Sequence, residues 1–395
     1  MNKSIINDKS IFISGLAYFL IMLSFIVMRL IVAAGILGDV HSDLTDYIFT
    51  FIVQIIILIG LPILFMTLFA KQKPKELFTR HSFRPINFKM ILLSLVLGLC
   101  TFVLILYVST FWSGILSAFG YSTGASSSTP VTNNPVINLL LGILFVGVLP
   151  GFCEEFSHRG MVLGNIKKDG TIRAILLSAL LFGLMHLSIA QVGYAFVVGI
   201  VLGTITLLTR SIYPAMIVHC TSNSINTYLN AASENNWWGG DFYDAINNFI
   251  VNNNAMFLYI VNMLILLMLI VLMAYIMLGL FKQAKLNDFY VFKRRLARRL
   301  RGSDFSDQID LNDDKQVLML YRETQLHDMH QKLENSTLTP EQIEQNINKS
   351  NLLSLMFDED VTKKQKVNHL DYLFYYCSII LGTIVTIITF IWGIL

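Results

Sequence analysis

Charged side chains are absent from a long stretch of this chain, so the first ones after it are candidates for chemistry. No charged residue occurs between Lys89 and the adjacent pair Glu154 and Glu155, and Arg159 follows Glu155 by four positions. An acid four residues before a base favours an ion pair along a helix. Glu154 is turned about 100° round the same helix. We therefore expect Glu155 to be structural and Glu154 to be free for general-base work.

Two further pairs of polar or aromatic residues follow at helical spacing. Phe182 precedes His186 by four positions, and His219 precedes Asn223 by four. Ionisable groups inside membrane spans cost roughly 2.5–3.5 kcal/mol or more, so they usually face an interior or wet cavity and mark function. A histidine and an asparagine on one helix face can donate two hydrogen bonds to a developing oxyanion. The residue types together suit a general base beside a site that stabilises an oxyanion.

Composition predicts that membrane helices position these groups. The chain has 395 residues, is 54% hydrophobic and 14% charged, and has a mean hydropathy of +0.61. This excludes a typical soluble enzyme, which carries about 25% charge, and a disordered chain. Balanced charge, with 29 Lys+Arg against 26 Asp+Glu, argues against nucleic acid as a partner. Four scattered cysteines have neither metal-type nor disulfide-type spacing.

The predicted fold class is all-α, a polytopic membrane helix bundle of about nine transmembrane helices with a cytoplasmic polar insertion before the last span. Each candidate is an apolar stretch near the 20 or so residues that a membrane requires. The nine are 10–37, 47–70, 90–119, 136–165, 172–190, 192–209, 212–230, 255–281 and 372–395.

Five regions follow from these spans. They are N-terminal transmembrane helices 1–135, catalytic core helices 136–230, an outer loop and eighth span 231–281, a cytoplasmic polar segment 282–371 and a C-terminal transmembrane helix 372–395. The polar segment contains Thr339-Pro340-Glu341, which predicts a helix start near 340. A segment of this kind can bind a protein partner.

Basic residues predict how the chain lies in a cell membrane. The loops at 71–89 and 166–171 and the start of 282–371 are rich in Lys and Arg, whereas the alternate loops lack them. The positive-inside rule then places the N-terminus in the cytoplasm and the C-terminus outside. Arg29, in the first span, is interpreted as a snorkelling side chain or a partner of lipid headgroups.

Helix rise gives the depths of the candidate residues. Measured from the basic loops at 1.5 Å per residue, Glu154 lies at about 16 Å, His186 at about 22 Å and His219 at about 13 Å. We expect them to meet near the membrane midplane in one cavity that opens to the cytoplasm.

The three motifs in this order resemble the CPBP family, which comprises CAAX prenyl proteases and bacteriocin-processing or bacteriocin-immunity (Abi) membrane proteins. The resemblance covers about residues 136–230 and rests on Glu154 to Arg159 as EExxxR, Phe182 to His186 as FxxxH and His219 to Asn223 as HxxxN. It implies an intramembrane glutamic endopeptidase without an obligatory metal or other cofactor. The implied catalytic residues are Glu154 as base, His186 as its assistant, and His219 and Asn223 as the oxyanion site. Glu155 and Arg159 form the implied supporting pair, and Phe182 packs beside His186.

Other functions remain open at this point. Glu154, His186 and His219 are also a possible zinc set, with water as the fourth ligand. The same cavity can belong to a non-catalytic immunity or peptide-binding protein, or to a proton-coupled transporter. Asn- and Ile-rich usage is typical of a low-GC bacterium. A hydrophobic or lipidated peptide in the membrane lipid is the expected substrate, and a bacteriocin or signalling-peptide precursor is favoured over a prenylated CAAX tail.

Overall fold

The structure is a computed structural model whose described part is almost entirely helical. It describes residues 3–34, 43–71, 83–122, 131–167, 170–251, 256–300, 311, 313–314, 316–321, 323–324 and 369–394. No strand occurs within these ranges. The α-helices are α1 (Lys3–Ala33), α2 (Asp43–Phe51), α3 (Leu61–Leu68), α4 (Phe88–Ala118), α5 (Pro135–Gly142), α6 (Leu149–Glu155), α7 (Gly164–Ile166), α8 (Thr171–Met185), α9 (Ile189–Thr209), α10 (Tyr213–Asn235), α11 (Gly240–Val251), α12 (Met256–Leu300) and α13 (Leu373–Ile394).

Three π-helical segments join α-helices into longer rods. They are π1 (Ile52–Gly60), π2 (Ile143–Val148) and π3 (Phe156–Leu163). The wider i→i+5 turn is rare and is frequently found at functional sites. Here π1 lies between α2 and α3, π2 precedes α6, and π3 follows Glu155 directly. The local change of pitch sets which way the side chains on these rods point.

Seven helical rods of the described chain are long and apolar enough to cross a membrane, which confirms a polytopic helical bundle. They are Ser10–Ile31, Tyr47–Leu68, Phe88–Ala118, Pro135–Ile166, Ile189–Thr209, Met256–Arg298 and Leu370–Ile394. These rods correspond to seven of the nine predicted spans.

The two remaining predicted spans form helices that are shorter or more polar than the seven rods. The span predicted at 172–190 is α8, a 15-residue helix that ends at Met185. Its length of about 22 Å is less than the roughly 30 Å of a hydrocarbon core. The span predicted at 212–230 is α10, which has 23 residues but a polar sequence. Its buried side chains include His219 and Ser222, because α10 packs against α4, π2 and α6 inside the bundle.

Two helices extend past predicted boundaries. The helix of the eighth span, α12, continues without a break beyond 281 to Leu300 and includes the start of the predicted polar segment. The outer loop predicted from 231 is partly helical, since α10 extends to Asn235 and α11 covers Gly240–Val251. The helix predicted to start near 340 lies outside the described residues.

The first and last helices pack together beside the centre of the bundle. Tyr375 on α13 donates a hydrogen bond of 2.8 Å to the hydroxyl of Ser14 on α1. Helices α8 and α9 form an antiparallel pair that touches closely at Gly199, where an added Cβ would lie 2.8 Å from the Cα of Ala179. A larger residue at 199 therefore cannot be accommodated without moving one helix. This contact holds α9 against the helix that carries Phe182.

Basic residues from several predicted cytoplasmic segments meet at one end of the bundle. Arg84 and Arg210 lie 3.7 Å and 3.3 Å from the two carboxylate oxygens of Asp288. Burial, followed by the charges of Arg84 and Arg210, lowers the pKa of Lys167 from its ordinary value. The segments before α4, after π3, after α9 and late in α12 are therefore on the same side of the bundle.

Candidate active site

Glu155 is the centre of a buried three-residue charge cluster. Its Oε1 accepts a hydrogen bond of 3.0 Å from Nη1 of Arg159 and another of 3.0 Å from Nδ1 of His219. Glu155 and Arg159 have no exposed surface, and His219 is 4% exposed. The predicted Glu155–Arg159 pair is confirmed. His219 on α10 is a third member that the local spacing does not reveal.

The carboxylate of Glu154 points away from this cluster, as the helical offset predicts. Its Oε1 accepts a hydrogen bond of 3.0 Å from Nε2 of Gln54 on π1. Glu154 is 8% exposed, whereas Glu155 is fully enclosed. A buried carboxylate held by a neutral amide keeps its other oxygen available for a proton, which is the requirement for a general base.

His186 lies at the end of α8 and has a fixed ring orientation. Its Nδ1 is 2.9 Å from the backbone oxygen of Phe182, an acceptor that requires the proton on Nδ1. The lone pair of Nε2 is therefore free when the ring is neutral. His186 is the residue just after α8, and Leu187 next to it has φ of +51°, a backbone conformation that bulky L residues rarely adopt.

Arg29 on α1 holds this strained helix end. Its Nη2 donates to the backbone oxygen of His186 at 2.9 Å and its Nη1 to that of Leu187 at 3.0 Å. Arg29 is also exposed, so its interpretation as a snorkelling side chain or a partner of lipid headgroups stays a prediction. The guanidinium supplies donors to carbonyls that the end of a helix leaves without intrahelical partners.

His158 is buried, and both of its ring nitrogens have hydrogen-bond partners. Its Nδ1 is 2.9 Å from the backbone oxygen of Glu154, and its Nε2 is 2.9 Å from the hydroxyl of Tyr18, which lies 2.8 Å from the backbone oxygen of Leu181. His158 has no exposed surface. Both of its nitrogens are thus occupied, which indicates a structural role that links α1, the Glu154 turn and α8.

The ring of Phe182 brings the imidazoles together. It meets three histidine rings edge to face, with centroid distances of 5.0 Å to His158, 5.2 Å to His186 and 5.7 Å to His219. The guanidinium of Arg159 lies over the same ring at 4.5 Å. Edge-to-face contacts and a cation over a ring face are both favourable arrangements for an aromatic ring. The predicted contact between Phe182 and His186 is confirmed.

Asn223 lies one turn beyond His219 on α10. Its Nδ2 donates a hydrogen bond of 3.1 Å to the backbone oxygen of Val146 on π2. The side chain is partly exposed, in contrast to His219. One of the two amide hydrogens is therefore engaged by the neighbouring helix, and the other is available to a ligand.

A glycine permits the close approach that joins the Glu154 helix to the His219 helix. A Cβ added at Gly151 would collide with Sγ of Cys220 and lie 2.8 Å from the backbone nitrogen of that residue. Gly151 is three residues before Glu154, and Cys220 directly follows His219. The glycine therefore sets the separation of the two catalytic candidates.

The zinc alternative has no ligand set in the part of the chain that the structure describes. No group of three or more His, Cys, Asp and Glu side chains is arranged there to hold a metal ion.

Comparison with known proteins agrees with the site. Residues 136–225 are Rce1-like: they match the family model described as type II CAAX prenyl endopeptidase Rce1-like. The resemblance to the CAAX protease family is confirmed, and every motif from Glu154 to Asn223 lies inside the Rce1-like segment. The match supports an intramembrane endopeptidase of the CAAX type, and the chain is a multi-pass membrane protein. No curated protein and no solved structure matches the chain.

Three residues outside the Rce1-like segment make contacts at the site that the sequence did not predict. Tyr18 and Arg29 on α1 and Gln54 on π1 bond to His158, to the backbone of His186 and to Glu154, respectively. The available signal was an isolated polar side chain in an otherwise apolar span. Such a signal identifies a buried polar contact but not its partner.

Proposed function

We propose that this protein is a glutamate-dependent intramembrane endopeptidase in which Glu154 deprotonates the attacking water. The observation that carries the proposal is the division between adjacent carboxylates. Glu155 is shared between Arg159 and His219, whereas Glu154 faces a neutral amide. A carboxylate neutralised by an arginine is a poor base, and one beside a neutral donor can take a proton.

The proposed reaction uses the residues round Phe182. Water gives a proton to Glu154 while its oxygen attacks the peptide carbonyl, and His186 assists through Nε2. Nε2 of His219 and the remaining amide hydrogen of Asn223 donate to the oxyanion. His219 can donate from both nitrogens only as the imidazolium, whose charge the Glu155 carboxylate 3.0 Å away offsets. The proton on Glu154 then passes to the leaving nitrogen.

The proposed substrate is a hydrophobic peptide that enters from the lipid. Val146 and Phe152, on the same rod as Glu154, are 49% and 48% exposed. Lipid and apolar side chains can both cover such a surface, so a polar peptide would lose its hydration there without compensation. A bacteriocin or signalling-peptide precursor remains our proposal over a prenylated tail.

The proposed location is the cell membrane, with the N-terminus in the cytoplasm and the C-terminus outside. The cluster of Arg84, Lys167 and Arg210 at one end of the bundle supports a common side for their segments. The positive-inside rule makes that side cytoplasmic. The segment 282–371 begins there and is proposed as the place where a protein partner binds.

Cleavage of defined peptides tests the function. Purified protein in lipid nanodiscs is incubated with an unprenylated hydrophobic leader peptide encoded beside its gene, a farnesylated CAAX peptide and a polar peptide, and products are identified by mass spectrometry. We expect cleavage of the leader peptide and none of the polar one. Cleavage of the farnesylated peptide alone would contradict the proposed substrate. Binding of the leader without cleavage would contradict catalysis and favour a non-catalytic immunity protein.

A further inference from the structure

Gln54 is a buried polar residue in a span of apolar side chains. It lies on π1, whose sequence is otherwise Ile, Val, Leu and Gly, and it is 5% exposed. A carboxamide in a membrane span needs hydrogen-bond partners, because neither lipid nor apolar side chains can supply them. The partners of Gln54 therefore indicate why the residue is there.

The nitrogen and the oxygen of the Gln54 amide differ in their hydrogen bonding. Nε2 donates a hydrogen bond of 3.0 Å to Oε1 of Glu154. The amide oxygen of Gln54 is buried and accepts no hydrogen bond from the described residues. Buried carbonyl oxygens are almost always paired with protein or water. The oxygen therefore belongs to the same amide that donates to Glu154, and it is a buried acceptor whose hydrogen-bonding capacity is unused.

A hydrolytic water needs two acceptors. One of its hydrogens passes to the general base, and the other must be held so that an oxygen lone pair faces the peptide carbonyl. Glu154 supplies the first acceptor, and the Gln54 amide oxygen supplies a second one within the same group of contacts. A water with these two partners has the minimum polar environment for a buried site.

We propose that Gln54 is a further catalytic residue, whose amide oxygen orients the water that Glu154 deprotonates. The inference rests on the proposed hydrolase function. In the step, one O–H bond of water breaks and its proton joins Glu154, and the remaining hydroxide oxygen forms the bond to the peptide carbon. The second O–H bond stays intact and donates to Gln54. Its amide Nε2 meanwhile holds Glu154 in place.

The alternative role for Gln54 is a hydrogen bond that only joins π1 to α6. The two roles differ in what a substitution changes. Loss of a structural link lowers stability and the yield of folded protein, but the folded molecules turn over normally. Loss of water orientation lowers kcat in folded molecules and leaves KM nearly unchanged, because the substrate does not touch the missing group.

The test compares Gln54→Met with a matched change elsewhere. Asn262 is also a buried carboxamide, 2% exposed, and it pairs with Tyr107 and the backbone of Phe249 away from the site. Asn262→Leu therefore reports the cost of losing a buried amide. We expect Gln54→Met to lower kcat by about 10²-fold with KM within about threefold, the size expected for losing one positioned polar group. Asn262→Leu is expected to lower stability and leave kcat unchanged.

A second variant decides the matter if Gln54→Met does not fold. Gln54→Glu keeps the size and an oxygen acceptor for the water, but it loses the amide hydrogens that bond to Glu154. Because the acceptor is retained, kcat of folded Gln54→Glu is expected to stay within about tenfold of wild type. A loss of about 10²-fold in Gln54→Glu, or a kcat within threefold of wild type in Gln54→Met, overturns the proposal for Gln54.

The Glu154→Gln variant distinguishes failure of the Gln54 role from failure of the proposed hydrolase function. If Glu154→Gln is inactive while Gln54→Met turns over like wild type, the Gln54 role is wrong and the hydrolase stands. If wild type and Glu154→Gln cleave equally, the proposed function itself is wrong, and the proposed role of Gln54 is then wrong as well.

Discussion

Removal of the Glu155 carboxylate tests the buried charge cluster in the most quantitative way. In Glu155→Leu, Arg159 keeps a hydrogen bond of 3.1 Å to the backbone oxygen of Gly199 and its place over Phe182, but it loses its counter-ion. Arg159 has no exposed surface and cannot reach water. Breaking a buried ion pair from one side costs about 3–5 kcal/mol. We expect the free energy of unfolding to fall by that amount.

The double variant Glu155→Leu/Arg159→Met is the matched control. Replacement of both charges by apolar groups of similar size is often neutral or stabilising, because neither charge is left buried alone. We therefore expect the double variant to be more stable than Glu155→Leu. It should remain inactive, since Nδ1 of His219 has lost its carboxylate in both variants.

Unfolding can be followed in detergent with a thiol-reactive dye. All four cysteines are free, and Cys100 and Cys153 are buried, so dye labelling reports loss of the folded state. Cleavage is measured on the same samples. A double variant that is less stable than Glu155→Leu, by about the cost of Arg159→Met alone, would refute the counter-ion argument.

Further outcomes are expected for Arg29, for two glycines and for metal removal. Arg29→Met should lower kcat by up to about 10²-fold, because the carbonyl of His186 loses its donor and the ring shifts. An unchanged kcat would show that the end of α8 keeps its geometry without Arg29. Gly151→Ala should abolish cleavage and cost about 1–3 kcal/mol of stability, because the new Cβ meets Cys220. Gly114→Ala is the control, because a Cβ at Gly114 meets nothing within 4 Å. This variant should be fully active and more stable by up to about 1 kcal/mol. Equal effects of the two glycine changes on cleavage would contradict a role for the close packing at Gly151. Cleavage should persist in a metal chelator; loss that zinc restores would favour the metal-dependent alternative.

Contacts between residues near in sequence were predictable, because helix geometry fixes them. The Glu155–Arg159 and Phe182–His186 pairs were found at the predicted four-residue spacing. The opposite direction of Glu154 followed from the same geometry. These pairs need only a helix, and a long apolar stretch supplies that element.

Contacts between distant segments were not predictable, because they depend on how the helices pack. Gln54 reaches Glu154 across 100 residues of chain, and Arg29 reaches the backbone of His186 across 157. Sequence spacing gives the polarity of Gln54 and Arg29 but not the rotation of their helices. The Rce1-like segment does not help there, since it begins only at residue 136.

The ends of two helices were also not given by apolar composition. The early end of α8 is stabilised by Arg29, a residue from another helix, so apolar composition through 190 did not reveal it. In α12, the polar residues after 281 continue a helix because charged and polar side chains are acceptable on a helix that leaves the membrane.

The most direct measurement of the central claim is the single-turnover rate of Glu154→Gln on a cleaved peptide, compared with wild type at equal amounts of folded protein. Glutamine keeps the size and a hydrogen-bonding oxygen but cannot take a proton from water. We predict a loss of about 10²–10⁴-fold with a melting temperature close to that of wild type. A rate within tenfold of wild type in a properly folded Glu154→Gln protein would contradict the assignment of this carboxylate as the base.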